Sequence, residues 1–114
     1  MKICQICSAH DVHDGRIFER TCQTLAGAGF DVHLFAKADG RSPYVSKNVT
    51  IHPVPHVRNR IERIRNRYAI AKAAAREDPD AFHVHEPELL GPVIKYAGSR
   101  PVIWDVHEAY LDVI

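Results

Sequence analysis

Short apolar runs and longer apolar stripes alternate along the 114 residues, and that alternation predicts the elements. A buried strand is expected over 2–7, then a polar loop over 8–15, Ser-Ala-His-Asp-Val-His-Asp-Gly. From Arg16 the spacing turns helical: Ile17, Phe18, Thr21, Cys22, Leu25 and Ala26 share a face, Asp14 serves as N-cap and Gly29 suits a left-handed C-cap. A second strand follows over 30–36, a turn-rich loop over 37–44, and a short strand over 48–54 that Pro53 and Pro55 end or place near an edge. The longest helix is expected over 58–76, with a narrow stripe of Ile61, Ile64, Tyr68, Ala71 and Ala75. A fourth strand covers 81–85. Pro87 fits the first helical position with Glu86 at the cap, Leu89, Leu90, Val93, Ile94 and Ala97 form the buried face, and Gly98 closes the helix. A fifth strand over 101–106 leads into the opening of a further helix at 107–114.

Strands alternating with helices predict an α/β fold, a doubly wound parallel sheet of about five strands in the order 3-2-1-4-5. The order reverses between strands one and four, and ligands in such sheets bind beyond the carboxyl ends of the strands at that reversal. Three polar loops meet there. They carry His10, Asp11, His13 and Asp14; His85, Glu86 and Glu88; and Asp105, His107 and Glu108.

With 46% apolar and 25% charged residues, the composition is that of one globular domain. No apolar run reaches the roughly 20 residues of a membrane span and no cleavage pattern opens the chain, so a cytoplasmic protein is expected. The net charge of +1 argues against a polyanion partner for the whole chain, and only Tyr68 could stack on bases near the arginines, so no nucleic-acid partner is expected. Locally, Arg58, Arg60, Arg63, Arg65 and Arg67 face a single Glu62; the cluster reads either as a solvated helix face or as a patch for an anionic membrane surface or a phosphorylated acceptor. Cys4 and Cys22 read as buried, reduced core residues.

Ala26-Gly27-Ala28-Gly29 closes a helix instead of opening one, which is the wrong end for a dinucleotide. His83-x-His85 could supply half a metal site, but neither a His-Glu-x-x-His nor a paired Cys-x-x-Cys pattern stands with it. No metal and no resident cofactor are expected, and His83 reads as structural.

The pieces Ile3-Cys-Gln-Ile-Cys-Ser8, Asp14-Gly-Arg-Ile-Phe18, Leu25-Ala-Gly-Ala-Gly-Phe30, Ala81-Phe-His-Val-His-Glu-Pro-Glu-Leu-Leu90 and Val102-Ile-Trp-Asp-Val-His-Glu-Ala-Tyr110 together resemble the N-terminal, acceptor-side Rossmann-like domain of family 4 glycosyltransferases of the GT-B type. The resemblance implies transfer of a sugar, with retention, from a nucleotide-sugar co-substrate to a sugar or lipid-linked acceptor in polysaccharide or glycolipid synthesis. It matches His107 to the histidine near the transferred sugar, and His10, Asp14, Arg16, His85, Glu86 and Glu108 to acceptor-side positions.

Residues 1–114 then form a partial N-terminal domain without the C-terminal donor-binding domain, since the glutamates at 19, 62, 77, 86, 88 and 108 include no pair of the family's donor-holding spacing. Such a fragment is expected to transfer no sugar alone, to touch the membrane peripherally if at all, and to self-associate through an uncovered sheet edge. Alternative readings are a non-catalytic binding or assembly module of the same fold and a metal-dependent hydrolase.

Overall fold

Parallel pairing runs through a six-stranded sheet whose order is β3-β4-β2-β1-β5-β6 in a computed structural model describing residues 1–11, 16–55 and 57–104. The strands are β1 (Lys2–Asp11), β2 (Asp31–Lys37), β3 (Tyr44–Ser46), β4 (Val49–Pro53), β5 (Ala81–Val84) and β6 (Val102–Trp104). The five expected strands keep their expected order, with the reversal between β1 and β5. The sixth is a correction: β3 lies at the end of the turn-rich loop and pairs antiparallel with β4. Lys47 and Asn48, both at positive φ, form the two-residue turn between them, the geometry whose twist suits a tight hairpin.

β1 is also longer than expected, its pairing with β2 shifting between Ile6 and Asp11. The first helical segment begins with a π-helical stretch, Arg16–Cys22, and only then becomes α1 (Gln23–Gly27). Gly29, at φ 97°, ends it as expected: Gly29 N–H donates to Ala26 and Phe30 N–H to Leu25, the paired bonds of a Schellman closure. The expected cap at Asp14 lies outside the described residues.

α2 (Arg60–Arg76) starts at Asn59, whose Oδ1 accepts from Glu62 N–H at 2.9 Å, while Glu62 accepts from Arg58 N–H at 3.0 Å. Its expected stripe is turned. Ile70, Ala71 and Ala74 are buried, whereas Ile61, Ile64 and Tyr68 are exposed. The small alanines sit where helix and sheet meet, Cys4 Sγ lying 3.7 Å from the Ala74 carbonyl, and Ile61 and Ile64 are left on the outer side. After β5 a 3-10 turn, Pro87–Leu89, with Glu86 at its cap, passes into α3 (Leu90–Ala97), and Gly98 at φ 63° ends it. Leu89, Val93 and Ala97 are buried as expected, but Ile94 is exposed.

Two cores result. One packs Cys4, Ile6, Phe35, Phe82 and Val84 against α2 and α3; the other packs Cys7, Val32, Leu34, Val49 and Ile51 against Phe18 and Cys22. Among the described residues no helix is long and apolar enough to cross a membrane.

Candidate functional site

At the reversal, the carboxyl ends of β1 and β5 are tied together by one carboxylate. Glu86, 4% exposed, accepts Ser8 N–H and Ser8 Oγ–H, each at 2.8 Å, one on each oxygen. Extended backbone at Glu86, ahead of Pro87, brings the carboxylate across to β1, and the His85 N–H donation to the Ile6 carbonyl at 3.1 Å continues the ladder beneath it. Charge-assisted bonds of this kind are the strong ones, so the latch fixes the floor of the cleft.

His85 is 3% exposed. Its Nε2 lies 2.5 Å from Gln5 Oε1 and its ring stacks on His83 with centroids 4.4 Å apart. Gln5, His83 and His85 thus make a polar row across β1 and β5, in which Gln5 and His83 are register partners.

Beside the latch opens a cleft of about 250 Å³ lined by Ser8, Lys37, Val57, Arg63, Asn66, Arg67 and Glu88. β1 supplies Ser8, the end of β2 supplies Lys37, the turn after β5 supplies Glu88, and the first half of α2 supplies the arginines and Asn66. The five-arginine cluster therefore divides: Arg63 and Arg67 line this cleft, while Arg60 and Arg65 border a separate hollow with Ile61. Nothing in the sequence pattern marks Lys37 or Asn66: Lys37 is the terminal residue of a strand, and Asn66 arrives only through the rotation of α2.

Of the residues singled out from sequence, His85, Glu86 and Glu88 stand at the reversal, His10 lies in β1, and Arg16 opens the π-helical stretch. Asp14, Asp105, His107 and Glu108 lie outside the described residues, as does His13.

A second polar cluster sits between β2, β4 and the end of α2. Ligand-type atoms of His33, His52 and Glu77 lie within 4.8 Å of one another. His33 Nδ1 and His52 Nε2 are 2.8 Å apart, His33 Nε2 lies 3.2 Å from Asp31, and Lys2 Nζ lies 3.3 Å from Glu77, so each member is engaged by protein groups. Burial pushes the His52 pKa down, with Glu77 opposing and His33 and Lys2 adding to the shift. His83 and His85, weighed from the sequence as half of a metal site and set aside, are not in this cluster.

The sequence profile of Glycosyltransferase Family 4 matches residues 15–113. The fold matches the crystal structure of a glycosyltransferase from Rickettsia africae ESF-5 with a TM-score of 0.62 at 16% identity, over 96% of this chain and 30% of that one. No curated protein matches the chain.

Proposed function

Taking as premise that the chain belongs to glycosyltransferase family 4, we propose that it forms the acceptor-side portion of an enzyme that moves a sugar, with retention, from a nucleotide-sugar to an acceptor hydroxyl. The observation that carries this reading is the cleft at the β1/β5 reversal, where Ser8 and Glu88 meet Arg63 and Arg67 beyond the carboxyl ends of the strands. Glu86 acts through Ser8 as a positioning residue and His85 through Gln5 in the same way; neither side chain is open to solvent. His107 hydrogen-bonds the transferred sugar, and His10, Asp14, Arg16 and Glu108 border the acceptor. The nucleotide-sugar is a co-substrate, not a resident cofactor.

Exposed Ile61, Ile64 and Tyr68 on α2, flanked by Arg60 and Arg65, support peripheral docking on an anionic membrane. Exposed Ile103 and Trp104 on the outer strand β6 support self-association.

The test is release of nucleoside diphosphate by the full-length protein from a panel of nucleotide-sugars with a lipid-linked oligosaccharide acceptor. His107→Ala is expected to lower kcat by about 100-fold or more with the fold intact, as loss of an aligned transition-state contact does. Failure of the wild-type protein to release diphosphate from any donor would remove the enzyme reading.

A further inference from the structure

Arg63 and Arg67 continue, in steps of three and four, the same face of α2 that carries Ile70, Ala71 and Ala74 into the core. An apolar side chain is the usual occupant of such a register. Here the face passes from the sheet to the cleft beyond it, and arginines take over where it does. Lys37, at the end of β2, reaches the same cleft from the opposite wall. Among the described residues no carboxylate forms an ion pair with Arg63, Arg67 or Lys37. Arg65, by contrast, lies on the outer side beside Asn59 and Ile61.

We infer that Arg63, Arg67 and Lys37 form a subsite for a phosphoryl group carried by the acceptor. The inference rests on the acceptor-side reading above and names the acceptor's chemistry. Guanidinium forks match phosphoryl oxygens in pairs, and the ammonium adds a point charge. With Glu88 on the wall, the three cations leave a positive surplus close to the charge of roughly −2 on a phosphomonoester at pH 7. Asn66 offers a neutral donor, and Glu88 an acceptor for hydroxyls on a sugar attached to the phosphate. The cleft, at about 250 Å³, is sized for a phosphoryl group and part of one sugar.

The experiment titrates full-length protein with inorganic pyrophosphate by calorimetry at low and high salt, and in parallel sediments it with phosphatidylcholine vesicles with and without phosphatidylglycerol. The expected result is salt-sensitive pyrophosphate binding that Arg63→Gln/Arg67→Gln weakens about tenfold or more and Arg65→Gln leaves unchanged, circular dichroism being the same for all. If the double variant also loses phosphatidylglycerol-dependent sedimentation, and loses more of it than Arg65→Gln does, the phosphoryl group is a lipid headgroup. If sedimentation survives in the double variant, the group belongs to a phosphorylated acceptor. No pyrophosphate binding by the wild-type protein, or equal losses in the double variant and Arg65→Gln, would overturn the subsite. Diphosphate release from a nucleotide-sugar without pyrophosphate binding sinks this inference and spares the proposed function; the opposite pair of results sinks the enzyme and spares the anion site.

Discussion

Glu86 keeps a carboxylate out of solvent and gives both its oxygens to Ser8. A buried charge is tolerated when it is hydrogen-bonded, and a bond to a charged group contributes about 1.5–3 kcal/mol. Glu86→Gln removes the charge and turns one acceptor into a donor facing a donor; it is expected to destabilise the domain by about 2 kcal/mol in urea unfolding. Ser8→Ala keeps the backbone N–H and should cost about 1 kcal/mol. A Glu86→Gln midpoint equal to the wild-type value would show that the latch contributes nothing. The cysteines obey a different logic. Cys4 and Cys7 are three residues apart on one strand and point to opposite faces, one into each core, so the Cys-x-x-Cys spacing cannot close a disulfide. Burial pushes the Cys4 and Cys22 thiols up to about 12 from an ordinary 9.0. Each thiol holds its proton more tightly in the folded chain than in the unfolded one. Their contribution to stability is therefore whole below about pH 9 and declines as pH rises toward 12. The expected observation is a melting temperature that falls over that range, and falls less in Cys22→Ala; equal slopes in the two proteins would count against it.

At the scale of elements, α2 carries the sharpest lesson. Ile61, Ile64 and Tyr68 sit at helical spacing, and spacing alone reads them as part of the core face. The buried residues are Ile70, Ala71 and Ala74, of which only Ala71 belongs to the expected stripe; small side chains let the helix lie close on β1, and the face they define runs on into Arg67 and Arg63. Legible in the sequence were the helix, its ends and its basic character; its rotation was not, because apolar and arginine positions both carry a three-and-four period. The cleft shared that fate. Glu86 and Glu88 were legible from topology and Ser8 only as the start of a polar loop, while Arg63, Asn66 and Arg67 reach the cleft only once the rotation is known. β3 was hidden for a simpler reason: three residues after Pro43 carry too little pattern, though the Lys47-Asn48 turn was a usable cue. The rotation predicts an asymmetry. Ile70→Ala should cost about 2–4 kcal/mol and Ile64→Ala less than about 0.5 kcal/mol in denaturant unfolding. Comparable costs at the two positions would place the helix face wrongly.

Over the whole molecule, the sheet's two outer strands are unlike. β3 is short, ends at a two-residue turn and exposes Val45 alone among its large apolar residues. β6 is equally short but presents Ile103 at 55% exposure and Trp104 at 40%, on the two faces beside His83 and Val84. The doubly wound order was legible because each crossover joins patterned segments, and among the described residues β6 is the outermost strand on its side of β1. Short strands limit edge pairing, whereas exposed apolar side chains favour association. These tendencies oppose each other on β6, and the side chains outweigh the backbone. Removing a large apolar residue from water contributes about 1.5–3 kcal/mol, against about 1 kcal/mol for each of the few ladder bonds that three residues can make. The 114-residue chain is therefore expected to sediment with a weight-average mass that rises with concentration. Ile103→Lys should hold it monomeric over the same range while Val45→Lys, on the other outer strand, leaves the rise in place. A wild-type chain that stays monomeric throughout, or equal effects of the two substitutions, would show that β6 is not where copies meet.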